Sequence, residues 1–196
     1  MNFLGHLYFS NNNPELMYAN LFGDFVKGKD LSIYSTQIQK GILLHRTIDD
    51  YIDHHPAVVK LRHELYESLP KVSGIAIDLF FDHILAKRWS EFHLTPLEKF
   101  IASFHQFEIE QQEYHNQQFW FVLSKMKEQK WLNNYATMNG LTKACEGLSN
   151  RISFPNVLNK APEVYLEMEI NIESAFNSYM KDAIPYFKSY YKAESL

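Results

Sequence analysis

The chain of 196 residues has a formal net charge of −4, one cysteine and no run of about 20 apolar residues. The acidic balance argues against nucleic acid as the main partner, and the lone Cys145 excludes an internal disulfide or a cysteine-based zinc site. We therefore expect one cytoplasmic domain over residues 1–196, with no secretion signal and no membrane insertion. The sequence carries no signal of oligomeric state.

Short breaks divide the start of the chain into helices. We expect a short helix over residues 2–10, and then a second helix that begins at Pro14 behind an Asn13 cap. The second helix should run to about Val26, beyond which a glycine and charged residues end it.

Proline also sets the bounds of the next two helices. A long helix around His45 should end at His55, because Pro56 disfavours helical geometry at the residue before it. Pro56 can itself begin the following helix, which should end before Pro70.

Two further helices are indicated in the middle of the chain. Residues 74–89 are apolar on nearly every side, with Ser73 as a candidate cap. Thr95 and Glu98 have the spacing of a capping box, which predicts a helix through Phe104.

The rest of the chain carries packing signals. Residues 119–148 place large apolar side chains at helical spacing, residues 150–156 indicate a loop, and a final long helix should run from Ala161 towards Tyr191. Because no strand alternation occurs, we predict an all-α, single-domain helical bundle.

Polar side chains in apolar helices point to a site. His45, Asp49 and Asp53 follow at four-residue steps, so an imidazole and two carboxylates share one stripe of a helix. The apolar helix beyond Pro70 carries Asp78 and Asp82, again four apart. Burying such carboxylates is costly, so they need a cation, a guanidinium or a metal ion nearby. Further candidates are His83, beside Asp82 on the same helix, and His6 and Asp24 on other helices.

Imidazole and carboxylate groups without thiolates suit Mn²⁺, Mg²⁺, Fe²⁺ or Zn²⁺. Convergence of such groups from several helices is typical of metal sites in helical bundles. The alternative is that these side chains are solvated or pair with Lys and Arg, which would leave a non-enzymatic helical interaction module.

Four blocks occur in order within the first 90 residues: MNFLGHL at 1–7, GDFVKG at 23–28, GI followed by HR-x-ID at 41–49, and DH-x-L ending in RW at 82–89. Together they resemble the acyl carrier protein phosphodiesterases. The chain departs from the usual pattern at Gly5, where alanine is common, and at Tyr8, where histidine is frequent. In residues 95–196 the resemblance is limited to length and helical character.

The resemblance implies an HD-domain-like, metal-dependent hydrolase that typically uses Mn²⁺. Such an enzyme removes the 4′-phosphopantetheine arm from holo acyl carrier protein and leaves the apo protein, a reaction of fatty acid biosynthesis and lipid metabolism. A metal phosphohydrolase of the same fold that acts on a nucleotide or another small phosphoester is the alternative. The metal ligands implied are Asp24, His45, Asp49 and Asp82, with His6, Asp53 and Asp78 as further ligands or supporting groups.

The remaining roles concern the phosphate and the partner. Arg46 is the candidate for gripping the phosphate, the alternative being an ion pair with Asp49 or Asp50. His83 is the candidate for protonating the leaving oxygen, or for binding the metal. An acidic carrier protein requires a local positive face on a chain of net charge −4. The residues expected there are Lys27, Lys29, Lys87 and Arg88.

Overall fold

A computed structural model describes residues 1–110 and 113–194. Those residues contain twelve α-helices and no strand, which confirms the all-α prediction. The described residues also include the 3-10 turns Gly23–Phe25 and Leu158–Lys160. In the described part of the chain, every helix is too short or too polar to cross a membrane. The helices are α1 Phe3–Tyr8, α2 Pro14–Phe22, α3 Thr36–His54, α4 Pro56–Leu65, α5 Ser73–Lys87, α6 Trp89–Phe92, α7 Leu97–Gln106, α8 Gln117–Glu128, α9 Trp131–Asn134, α10 Met138–Ser149, α11 Ala161–Glu167 and α12 Glu169–Glu194.

Proline and its preceding residue define three helix ends as predicted. Asn13 accepts a hydrogen bond from the amide of Leu16 at 3.2 Å and so caps α2, with Pro14 at the first helical position. His55 is extended, which ends α3 and lets Pro56 begin α4.

Other predicted boundaries were wrong by a residue or more. Ser73 is the first residue of α5 instead of its cap. Pro96 occupies the cap position of α7, and Thr95 instead accepts a hydrogen bond from the Trp89 indole at 2.8 Å through its carbonyl. The last predicted helix is two helices, α11 and α12, with Met168 between them.

Two glycines allow α3 to approach its neighbours closely. A Cβ on Gly41 would lie 2.2 Å from the Cβ of Ala19 on α2, and a Cβ on Gly23 would lie 2.5 Å from the Cβ of His45. Neither position accommodates a larger residue without displacing a helix. The glycines of two motif blocks therefore determine how near His45 lies to α2.

The core is one cluster of buried apolar side chains that extends from Met1 to Phe187. Phe81 on α5 packs against Phe176 and Tyr179 of α12, with ring centroids 5.3 and 5.6 Å apart. Because α12 covers one side of α5 and α1 packs against another, α5 is buried along most of its length. The first three helices meet beside it and form the site described below.

Candidate functional site

Three side chains that bind metals in other proteins converge between α1 and α3. His6 Nε2 lies 3.2 Å from Asp49 Oδ1, and His45 Nε2 lies 3.2 Å from Asp49 Oδ2. One candidate ligand atom from each residue lies within 4.8 Å of the other two. Both imidazoles are buried, whereas the Asp49 side chain is 48% exposed and faces solvent. Among the described residues, no other group of three or more His, Cys, Asp or Glu side chains converges in this way.

Asn20 on α2 fixes the orientation of both imidazole rings. Its Nδ2 donates to the carbonyl of His6 at 2.9 Å and to Ser10 Oγ at 3.0 Å, so its Oδ1 is the acceptor for the ring nitrogens. His6 Nδ1 and His45 Nδ1 donate to that oxygen at 2.9 and 3.3 Å. The Nε2 lone pairs of both rings are therefore directed at Asp49.

The electrostatics of this His6–His45–Asp49 cluster favour a bound cation. Burial, followed by the proximity of His45, lowers the pKa of His6 to about 4, although Asp49 opposes the shift. Burial raises the pKa of Asp49, but the proximity of the His45 and His6 rings outweighs burial and the net pKa is lowered. At neutral pH a carboxylate thus faces a neutral imidazole, and their lone pairs repel unless a proton or a cation lies between them.

The cluster forms part of the wall of an open cavity of about 580 Å³, which we call the cluster cavity. Four aspartates line it, and Arg151 is the one Lys or Arg among its lining residues in the described chain. Two of the four are paired, since Asp53 binds Arg62 at 2.6 Å and Asp78 binds the Met1 ammonium at 2.9 Å. Among the described residues, no Lys, Arg or ammonium group pairs with Asp24 or Asp49.

Asp24 lies in the cluster cavity but outside the cluster. The 3-10 turn Gly23–Phe25 leaves it exposed, although its apolar neighbours in the sequence led us to expect a carboxylate in an apolar setting. It lines the same cavity as His45 and Asp49. Of the four predicted metal ligands, the structure therefore brings His45 and Asp49 together. A third, Asp24, lies on the wall of the same cavity.

The structure places Asp82 at the start of α1 instead of in the cluster. It is fully buried and accepts hydrogen bonds from the amides of Leu4 and Gly5 at 2.7 and 3.0 Å. Burial raises its pKa to about 7, although the Met1 ammonium and those amides lower it. The positive end of a helix and an ammonium thus provide the cationic partners that the sequence requires for Asp82 and Asp78. Both carboxylates anchor α1, the helix that carries His6.

His83 faces away from the cluster cavity. Its Nδ1 donates to the carbonyl of Tyr135 at 2.6 Å, and its ring meets the edge of Tyr165. Burial lowers the pKa of His83, although the bond to Tyr135 opposes this. It is not among the residues that line the cavity, so the structure does not bring it within reach of the cluster.

The predicted cationic residues are divided between different surfaces. Arg46 donates to the carbonyls of Val26 and Gly28 at 3.3 and 2.7 Å, instead of pairing with Asp49 or Asp50. Lys87 pairs with Glu169 at 3.2 Å, and Arg88 binds Glu91 through two nitrogens at 2.9 and 2.6 Å. None of these three lines the cluster cavity. Lys27 and Lys29 are exposed on the loop that Arg46 holds.

Sequence reasoning missed two residues at the site. Asn20 carries the same signal as Asp82, a polar side chain within an apolar helix, and the signal applies to amides as well as to carboxylates. Arg151 follows the end of α10 in a segment predicted only as a loop, and no spacing relates it to His45. Its place in the cavity depends on how α10 packs against α5.

Comparison with known proteins extends the resemblance beyond the motif blocks. A family model described as acyl carrier protein phosphodiesterase matches residues 1–183. An acyl carrier protein phosphodiesterase of Photorhabdus laumondii is 31% identical over 154 residues, or 77% of each chain. One of Salmonella dublin is 29% identical over 152 residues, which are 77% of this chain and 79% of that relative. No solved structure shows significant similarity. The chain belongs to the acyl carrier protein phosphodiesterase family.

Proposed function

We propose that this protein hydrolyses the phosphodiester that joins 4′-phosphopantetheine to a serine of holo acyl carrier protein, and leaves the apo carrier. The observation that supports this most is the His6–His45–Asp49 cluster in the wall of an open cavity, in a member of this family. Two imidazoles and a carboxylate of this kind are the donor set of metal-dependent hydrolases.

The residues present fit a divalent cation. His6 Nε2, His45 Nε2 and the Asp49 carboxylate would hold it, and Asp24 is a further carboxylate candidate in the cavity. We propose Mn²⁺, for which oxygen and nitrogen donors without sulfur are suited, as they are for Mg²⁺, Fe²⁺ and Zn²⁺. When bound, such an ion activates water and offsets negative charge on a phosphate.

Because carboxylates line the cavity, an anionic substrate requires that bound ion in order to bind there. A phosphodiester is an anion, and the unpaired carboxylates Asp24 and Asp49 would repel it. Asn20 keeps both Nδ1 atoms protonated and thereby keeps both Nε2 lone pairs free for the cation.

We assign the gripping of the phosphate to Arg151 in place of Arg46. The guanidinium of Arg151 has no hydrogen bond or ion pair within the described residues, and the residue is exposed on the cavity wall. A free guanidinium can offer two parallel N–H groups to phosphate oxygens. Arg46 already uses its Nη2 on two backbone carbonyls.

We further propose a single catalytic domain that acts in the cytoplasm, where Cys145 stays a buried thiol. Lys27 and Lys29 follow the turn that carries Asp24, and both are exposed. We assign to them the contact with an acidic face of the carrier protein.

The test is mass spectrometry of holo carrier protein after incubation with the purified protein and Mn²⁺. We expect apo carrier and free 4′-phosphopantetheine from the wild type, and no conversion by His45→Ala or Asp49→Ala, whose helical circular dichroism should be unchanged. Intact holo carrier beside rapid cleavage of a nucleotide would overturn the substrate assignment. Turnover by both variants would overturn the site.

A further inference from the structure

A second cavity adjoins the cluster cavity on the side of α8, α9 and α10. Its volume is about 610 Å³, and we call it the side groove. Arg151, Phe3 and Leu148 are among the residues that line both cavities, so the two cavities are neighbours. A linear molecule can therefore have one end at the cluster and the other in the side groove.

The chemistry of the side groove differs from that of the cluster cavity. No Asp or Glu is among its lining residues in the described chain. Phe3 and Trp131 stack with ring centroids 6.3 Å apart, and the Phe121 side chain, which also lines the groove, is 57% exposed. Gln118 and Asn134 contribute carboxamides. The groove thus offers apolar contact and amide hydrogen bonding without negative charge.

We propose that the side groove binds the pantetheine portion of the arm while its phosphodiester lies at the cluster. This inference rests on the proposed function. Pantetheine is a linear chain with two amides, a pair of methyl groups and a terminal thiol, and it carries no charge at neutral pH. Its methyl groups match the aromatic surface, and its amides match the carboxamides of the groove.

Gly147 provides a way to fill the groove without disturbing the fold. It lies on α10 and lines the side groove but not the cluster cavity. A Cβ added there would meet nothing within 4 Å, whereas one added at Gly140 on the same helix would lie 1.9 Å from the carbonyl oxygen of Asn134. Replacing a glycine within a helix also favours the helix, because glycine loses more conformational freedom on folding than any other residue.

The matched control is Asn139→Leu. Asn139 is exposed on the same helix and lines neither cavity. Gly147→Leu and Asn139→Leu therefore add the same side chain to α10, and they differ in whether that side chain enters the groove.

The first measurement is calorimetric titration of the metal-free protein with pantetheine, the uncharged portion of the arm. We expect Gly147→Leu to bind at least about tenfold more weakly than the wild type and Asn139→Leu to bind as the wild type does. Wild-type affinity in Gly147→Leu would overturn the groove assignment, whether or not the protein hydrolyses the carrier.

The second measurement compares two substrates in Mn²⁺. Gly147→Leu should raise KM for holo carrier protein about tenfold and leave hydrolysis of bis(4-nitrophenyl) phosphate unchanged, because the small diester does not reach the groove. Equal losses on both substrates would overturn the proposal. A wild type that leaves holo carrier intact would overturn the proposed function, while the calorimetry still decides what the groove binds.

Discussion

Arg46 Nη2 donates to the carbonyl oxygen of Gly28 at 2.7 Å, so the arginine beside His45 in the sequence holds a loop of the backbone. Arg46→Gln should therefore lower the free energy of unfolding by about 1–3 kcal/mol and change kcat little. Arg151→Gln should do the reverse: stability within about 0.5 kcal/mol of wild type, and kcat/KM for the carrier about a hundredfold lower. Denaturant melts and steady-state kinetics on both variants check this. If kcat falls in Arg46→Gln and not in Arg151→Gln, the phosphate is bound by Arg46 and the assignment to Arg151 is wrong.

Asn20→Ala should weaken metal binding although Asn20 is not a ligand. The substitution leaves both Nδ1 atoms without an acceptor, so the rings are free to turn, and loss of such a supporting group typically costs 10- to 100-fold in metal affinity. Ser10→Ala is the control. It removes the hydrogen bond that Asn20 Nδ2 donates to Ser10 Oγ, and it does not remove the acceptor of either ring. Mn²⁺ titration calorimetry compares the two. Equal affinities in both variants would contradict the role of Asn20.

His6→Ala and His83→Ala should differ in metal content. His6 contributes an Nε2 to the cluster, whereas His83 binds the carbonyl of Tyr135. After dialysis against Mn²⁺, elemental analysis should find metal in His83→Ala at the wild-type level and little in His6→Ala. The opposite result would show that His83, and not His6, binds the metal.

Asp82→Asn should become more stable relative to wild type as the pH rises. Burial raises the pKa of Asp82 to about 7 in the folded protein, from its ordinary value of 3.8. Between those pH values the folded state binds more protons, so Asp82 lowers wild-type stability as the pH rises towards and through 7. Asparagine does not titrate, so the substitution removes this dependence of stability on pH. Melting temperatures from pH 5 to 8 measure the difference between variant and wild type.

Asp30→Asn is the control for that pH series. Hydrogen bonds from Ser32 lower the pKa of Asp30, so it is charged throughout the range in both the folded and the unfolded state. The difference in melting temperature between Asp30→Asn and the wild type should not change with pH. A constant difference for Asp82→Asn as well would show that Asp82 is charged at pH 5.

Lys27→Glu with Lys29→Glu should raise KM for holo carrier protein and flatten its dependence on salt. Both lysines are exposed beside the turn that carries Asp24, and charge reversal removes the attraction to an acidic partner. Hydrolysis of bis(4-nitrophenyl) phosphate should not change. Lys99 and Lys188, also exposed but outside every cavity described above, provide the matched double reversal. A rise in KM in both pairs would mean that net charge, and not a docking face, is responsible.

The parts of the fold and site that depend on local sequence were predictable. Proline at Pro14 and Pro56 fixes helix starts through its own geometry. His45 and Asp49 are one helical turn apart, so their alignment follows from the period of a helix. Adjacent residues on a helix diverge by about 100°, which is why Arg46 does not share the face of His45.

The parts of the fold and site that depend on tertiary contacts were not predictable from the sequence. The carboxylates Asp78 and Asp82 in an apolar helix correctly indicated a cationic partner, although only Asp82 is buried. That partner is the beginning of α1, whose backbone amides and ammonium have no side-chain signature. Arg151 enters the cavity from beyond α10, and only the packing of that helix brings it there.

The anchoring of α1 by Asp82 also constrains the order in which the protein assembles. The hydrogen bond from the amide of Leu4 spans 78 residues of sequence, so α1 leaves the ribosome well before α5 is available to hold it. His45 and Asp49 share α3 and can align as soon as that helix forms. His6 is therefore the last of the three side chains to be placed, and the nascent chain completes the His6–His45–Asp49 cluster only after α5 has been synthesised.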